Sequence, residues 1–284
     1  MDSNPGTLGI LAGGGILPRR VAEAALAAGR QVFLIAFEGQ ADADMVSDLP
    51  HVWVRLGAAR RTIAELKKVG VVDLVMAGRV RRPTIAELGL DWRGVQLFSR
   101  IGKRAALGDD GLLSAVVAEL EQEGFHILGA DQVLSNGTAQ VGVLGLHVPD
   151  DDASRDVAWG VQVARTLGKL DIGQAVVVQQ GIVLGVEAIE GTDALLSRVS
   201  NLRRAGPGGV LIKVAKPQQD RRVDLPTIGP NTVALAVAAG LRGIAIEAAG
   251  TILLDRAATV QAADAGGLFV VALDLEQGGG AAEG

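Results

Sequence analysis

Apolar and polar positions in the first half of the chain follow two alternating rhythms. Short, mainly apolar runs at Thr7–Leu11, Gln31–Ala36, His51–Leu56 and Val71–Ala77 predict strands. Between them, helical spacing predicts helices over about Leu17–Ala28 and Thr62–Val69. Asp109–Glu123 reads as a long helix whose first-turn acids suit the helix dipole, and His126–Leu128 as one more strand. Strands with little polar alternation, separated by helices, imply a parallel sheet covered on both faces.

From Asp131 to Asp150 the pattern loosens into short apolar pieces broken by Asn136-Gly137, Gly142, Gly145 and Pro149. The second half resumes with a helix near Ser154–Leu167 and two apolar runs, Ala175–Gln179 and Ile182–Glu187, split by Gln180-Gly181. So short a spacer containing glycine predicts a hairpin, hence a mixed sheet. A helix over Ala194–Arg204, a strand over Val210–Val214 and a helix over Asn231–Ala239 follow. Strands at Ile244–Glu247 and Ile252–Leu254, a helix over Ala257–Ala265 and a last strand at Leu268–Leu273 complete the pattern. The expected fold is α/β: a Rossmann-like open parallel sheet in 1–133, a connection over 134–150, and an α/β domain with a mixed sheet in 151–277. Residues 278–284 carry no apolar anchor and read as a disordered tail.

Composition narrows the chemistry. Of 284 residues, 49% are hydrophobic, enough for a sizeable core, which excludes wholesale disorder. The net charge of −5, with 27 basic against 32 acidic side chains, argues against a bulk nucleic-acid partner. Aromatics make up 3% and Tyr is absent, so stacking platforms for single strands are not expected. The absence of Cys excludes disulfides, thiolate metal sites and thiol nucleophiles, and a cytoplasmic address is expected. No basic leader precedes the first apolar run, and no uncharged stretch supplies the roughly 20 apolar residues of a spanning helix.

Several segments carry candidate chemistry. Gly13, Gly14 and Gly15 lie between a strand and a helix, where backbone N–H groups can approach an anion. Pro18 stands where the dinucleotide fingerprint wants a further glycine, so phosphate contact and tight turn weigh equally. Arg79, Arg81 and Arg82 follow the carboxyl end of a buried strand. Arg79 is the best phosphate ligand among them, and Arg81 and Arg82 read as a solvated turn. Gly108-Asp109-Asp110-Gly111 is explained by helix capping. Glu187, Glu190 and Asp193 place three carboxylates within seven residues, a hard-cation pattern, although helix capping by Thr192 or Asp193 explains the end of it. Were the strand to continue, Glu187 would share a face with Val183 and Ile189, a poor place for an unpaired carboxylate. The densest segment, Lys216–Pro230, leaves an apolar strand and interleaves three cations with two acids, two amides and three prolines. Structureless loops longer than about 12 residues are uncommon in compact domains unless they are functional.

Four of these segments, in order, resemble the LpxI family of UDP-2,3-diacylglucosamine pyrophosphatases: Leu8-Gly-Ile-Leu-Ala-Gly-Gly-Gly-Ile-Leu-Pro18, Ala77-Gly-Arg-Val-Arg-Arg-Pro83, Val186-Glu-Ala-Ile-Glu-Gly-Thr-Asp193 and Lys216-Pro-Gln-Gln-Asp-Arg-Arg-Val-Asp-Leu-Pro226. The resemblance implies a two-domain enzyme holding its ligand between the domains. Such an enzyme hydrolyses UDP-2,3-diacylglucosamine with Mg²⁺ to UMP and 2,3-diacylglucosamine 1-phosphate (lipid X) in lipid A synthesis, with water attacking the sugar-side phosphorus. It places the catalytic aspartate at Asp224.

Joined with the residue reading, the expected site has Mg²⁺, Lys216 and Arg221 offsetting diphosphate charge, with Asp224 ligating the ion or orienting the water. Asp193 and Asp220 are the next metal ligands, and Glu187 and Glu190 support them from behind. Gly13, Gly14, Gly15, Arg79, Thr192, Gln219 and Thr227 are the expected substrate contacts. A diacylated substrate implies peripheral contact with the inner leaflet of the inner membrane, and base rates suggest a homodimer. The rival readings are a nicotinamide-dependent oxidoreductase, against which Pro18 counts, and a non-catalytic nucleotide- or lipid-binding regulator.

Overall fold

The computed structural model describes residues 6–81, 91–92, 94–95, 109–134 and 137–275. Arg82, Pro83, Gly108, Asn136, the side chains of Asp109 and Asp110, and the tail 278–284 lie outside the described residues. The chain divides into two units. One is Met1–Gly137 with Asp220–Asp224, and the other is Thr138–Gln219 with Leu225–Gly284.

In the first unit β1 (Leu8–Ala12), β2 (Val32–Phe37), β3 (His51–Val54), β4 (Asp73–Ala77) and β5 (His126–Leu128) form a wholly parallel sheet in the order β3-β2-β1-β4-β5. All five residues of β1 are buried, as a central strand covered on both faces requires. Among the described residues the helices are α1 (Leu17–Ala27), α2 (Ala43–Val46), α3 (Ala59–Lys68), α4 (Asp109–Gln122) and α5 (Ala130–Val133). Leu11, Ile35, Leu66, Leu74 and Ile127 build one core, against which Val223 packs from the distant Asp220–Asp224 segment. The strand order reverses between β1 and β4, and the crevice beyond the carboxyl ends of such strands is where open α/β sheets hold ligands.

In the second unit β6 (Gly142–Leu144), β7 (Ala175–Gln179), β8 (Ile182–Val186), β9 (Val210–Lys213), β11 (Gly243–Glu247) and β13 (Phe269–Leu273) form the order β6-β13-β11-β9-β7-β8. The centre, β9-β11-β13, is parallel, while β6, β7 and β8 pair antiparallel with their neighbours, so the sheet is mixed. A separate parallel pair joins β10 (Thr227–Ile228) to β12 (Ile252–Leu253). Leu195, Leu196, Leu211, Ile228 and Ile244 fill the core beside α7 (Thr192–Val199), α8 (Pro230–Ala238) and α9 (Arg256–Ala265).

The hairpin predicted at Gln180-Gly181 is present, with both residues left-handed at φ 55° and 75°, the geometry of a two-residue I′ turn. Asp156, buried on α6 (Asp151–Lys169), accepts both turn N–H groups, from Gln180 at 2.9 Å and Gly181 at 2.7 Å. α6 starts three residues before the predicted Ser154, because the Asp150 carboxylate caps it by accepting from Ala153 N at 2.7 Å. The helix predicted to reach Arg204 ends at Val199, and a 3₁₀ turn covers Ser200–Leu202. Beyond it the buried Gln179 amide captures the backbone, accepting from Arg204 N and donating to Arg204 O and Pro207 O. Glu187 and Ile189 do not share a strand face: β8 stops at Val186, and Ile189 is 97% exposed in the following turn.

Candidate active site

At the switch point of the first sheet, β1 and β4 run in register to Ala12 and Ala77, and the loops beyond remain zipped together. Gly13 N donates to Ala77 O and Gly14 N to Arg79 O, both at 2.8 Å, while Arg79 N returns a bond to Gly14 O at 2.9 Å. A Cβ on Gly13 would stand 2.5 Å from the Arg79 carbonyl oxygen, and one on Gly14 2.8 Å from that of Gln40. Glycine is therefore required at both positions by close backbone approach. Gly15 differs: its φ is +86° with open space around it, and its N–H donates to the Asp42 carboxylate at 2.7 Å. All three triplet N–H groups thus have partners within the protein. Gln40, from the same loop as Asp42, accepts from Arg81 N at 2.8 Å. Arg79 is exposed at the rim of this cluster.

The Lys216–Thr227 segment is anchored at both ends. Lys216 N donates to the Gln219 side-chain oxygen at 3.0 Å and Gln219 N to Lys216 O at 3.1 Å, closing a turn on a buried amide. Lys216 Nζ pairs with Asp171 at 2.5 Å, and Gln218 reaches the Gly168 carbonyl. At the carboxyl ends of the parallel strands, buried Lys213 donates to Thr227 O at 2.8 Å, and buried Glu247 accepts from Ala215 N at 3.0 Å.

Asp220–Asp224 forms a single turn, with Val223 N and Asp224 N both donating to Asp220 O, at 3.0 and 3.1 Å. Arg222 lays Nε and Nη2 on the two oxygens of Asp220, at 3.0 and 2.8 Å, and Nη1 on Glu121 of α4 at 2.7 Å. The Arg222 guanidinium, its backbone N–H assisting, holds the Asp220 carboxyl below the usual carboxylate range. The two acids, Asp220 ahead of Glu121, push the Arg222 pKa upward in turn.

Near the start of α7, buried Glu187 accepts from Thr192 Oγ1 at 2.6 Å and from Gln174 N at 3.2 Å. The carboxylate that looked uncomfortable in the sequence is paired. Glu190 is held below the usual range by its own backbone N–H and then by Arg198, which it meets at 2.9 Å. Asp193 lies in the first turn of α7.

Gly13, Gly14, Gly15 and Arg79 therefore form one cluster in the first unit, which also contains Asp220, Arg221 and Asp224. Thr192 and Asp193, and separately Lys216, Gln219 and Thr227, lie in the second. The sequence reading did not single out Asp42, Gln40, Glu121, Asp171, Lys213 or Glu247. Only the last two carried a signal, a charge at the end of an otherwise apolar strand, which burial obliges to find a partner. Among the described residues no group of three or more Asp, Glu or His side chains is gathered for a metal ion. Mg²⁺ characteristically takes one or two carboxylates plus substrate phosphates, so Asp224 suits a diphosphate-borne ion by donor type, while Asp220 already has both oxygens on Arg222.

Family models decide the kinship. The LpxI N-terminal domain matches residues 7–136 and the LpxI C-terminal domain residues 140–271. The chain belongs to the LpxI family. A relative, UDP-2,3-diacylglucosamine pyrophosphatase LpxI of Caulobacter vibrioides, is 41% identical over 276 residues, covering 95% of this chain and 98% of its own. Among solved structures, glycinamide-RNase-transformylase T from Mycobacterium tuberculosis aligns over 64% of this chain and 44% of its own, at 15% identity and a TM-score of 0.23, which carries no weight. In LpxI terms the junction between the two domain matches, after residue 136, falls one residue from the boundary between the units at Gly137 and Thr138. Among the described residues no helix is long and apolar enough to cross a membrane.

Proposed function

We propose that this chain hydrolyses the pyrophosphate bond of UDP-2,3-diacylglucosamine, giving UMP and 2,3-diacylglucosamine 1-phosphate (lipid X) for lipid A synthesis. The observation that carries the reading is the 41% identity along 95% of the chain to a relative named for that activity. That kinship favours hydrolysis over the nicotinamide-dependent and the non-catalytic readings.

In the proposed reaction a water oxygen bonds to the sugar-side phosphorus. The P–O bond to the bridging oxygen breaks, UMP leaves with that oxygen, and a proton passes to solvent. Asp224 orients the water, and the ordered turn Asp220–Asp224 supports that role by fixing the backbone from which Asp224 projects. Arg221, exposed on the same turn, and Arg79 at the switch point supply cationic donors for the phosphates. Lys216, Gln219, Thr192, Asp193 and Thr227 remain proposed contacts from the second unit. Mg²⁺, held through Asp224 and the diphosphate oxygens, would offset the charge that builds on them. The acyl chains imply peripheral contact with the inner leaflet.

The test is UMP release from the diacylated substrate by purified protein, with Mg²⁺ present and after chelation, beside Asp224→Ala. Parent turnover with almost none in Asp224→Ala, at unchanged circular dichroism, is expected, with ¹⁸O from labelled water appearing in lipid X. An inactive parent overturns the function, near-normal Asp224→Ala removes that residue, and label in UMP reverses the phosphorus attacked.

A further inference from the structure

We infer that Arg222 is a positioning residue for Asp224, acting through a chain of contacts that runs Glu121, Arg222, Asp220. The inference rests on the proposed role of Asp224. Three observations carry it. Asp220 O accepts from the N–H groups of both Val223 and Asp224, so the backbone of Asp224 hangs from Asp220. Both carboxylate oxygens of Asp220 are gripped by the Arg222 fork, with Arg222 N adding a third bond to Oδ1 at 3.0 Å. The remaining arm of that fork ends on Glu121, 101 residues earlier, on a helix whose Val117 and Leu120 lie in the core against which Val223 packs.

Arg222 therefore ties the turn to α4, and the adjacent Val223 ties it to the core of the sheet. Arg222 and Glu121 are both nearly half exposed, at 44% and 45% of side-chain area, so the pair adds little to global stability. What it fixes is geometry, and a displacement of about 1 Å at a reacting group can cost about a hundredfold in rate. A lysine cannot take the place of Arg222, because one ammonium has no planar fork to span two carboxylates.

The experiment is steady-state kinetics on the full chain with UDP-2,3-diacylglucosamine and Mg²⁺, for Arg222→Ala, Arg222→Lys, Glu121→Gln and Glu121→Gln with Arg222→Ala. Arg222→Ala is expected to lower kcat about 10- to 100-fold while KM stays within about threefold and the melting temperature barely moves. Arg222→Lys should not restore kcat. The double variant should be no slower than Arg222→Ala alone, because both residues act along one chain. Parent-like kcat in Arg222→Ala overturns the inference, as does a loss confined to KM, or single losses that multiply in the double variant. Should Arg222→Ala fail to fold, Glu121→Gln carries the test, and an unchanged kcat there is equally fatal. Full turnover by Asp224→Asn would instead remove Asp224 from the reaction and this inference with it, an inactive parent would sink the functional reading, and an inactive Asp224→Asn beside a normal Arg222→Ala sinks only this inference.

Discussion

Gly13→Ala isolates what the glycine triplet is for. The residue does not have a positive φ, so alanine is allowed by the backbone, and the effect of the added methyl is steric. That methyl would lie 2.5 Å from Arg79 O, 2.9 Å from Arg79 C and 3.0 Å from Gly78 C, all backbone atoms with no rotamer to yield. Ordinary carbon contacts sit at about 3.5–4.0 Å, so the two loops must part by about 1 Å. Such an opening stretches the 2.8 and 2.9 Å bonds between Gly14 and Arg79 past useful length. Two neutral hydrogen bonds at about 0.5–1.5 kcal/mol each, plus about 1–3 kcal/mol of overpacking, give a loss of about 2–6 kcal/mol. At roughly 3–5 °C per kcal/mol for a domain of this size, the melting transition of the first unit falls by about 6–30 °C. Gly15→Ala is the control: nothing lies within 4 Å of its Cβ, and it meets only the left-handed backbone cost of about 1 kcal/mol. Differential scanning calorimetry with UMP release measures both, and Gly13→Ala should also lose turnover as Arg79 shifts. A Gly13→Ala melting point within about 2 °C of the parent, or a larger loss in Gly15→Ala, would refute the close-approach reasoning.

Two further expectations follow from other contacts. Asp156→Ala removes the acceptor of two turn N–H groups. Each charge-assisted bond is worth about 1.5–3 kcal/mol, but exposed Gln180 and Gly181 regain water, so urea unfolding should report a loss of about 2–4 kcal/mol, with Asp156→Asn near half of that. A loss under about 1 kcal/mol in Asp156→Ala would contradict it. Because Arg222 depresses the folded pKa of Asp220, the stabilisation from that carboxylate is fully present above the unfolded value of about 3.9 and fades as pH falls through the lower folded value. Arg222→Ala should raise the Asp220 titration toward the ordinary value in carboxyl-carbon NMR, and the small stability difference from the parent should vanish below about pH 4. An unmoved titration would show that Arg222 is not the cause.

The helical and extended periods of the sequence by themselves determined the two α/β halves, the parallel β1 to β5 sheet and the Gln180-Gly181 hairpin, because burial on one or both faces writes itself into local composition. The same local signal passed over α2, α5, β6 and β10, two to four residues each, which are too short to repeat a period. Of the candidate site, the segments were legible and the partners were not. That Glu187 is satisfied by Thr192, that the triplet N–H groups end on Ala77, Arg79 and Asp42, and that Asp220–Asp224 joins the first unit through Glu121 were decided only by tertiary structure. Hydrogen bonds link residues as much as 118 positions apart, and no local period records which distant partner a polar side chain will meet.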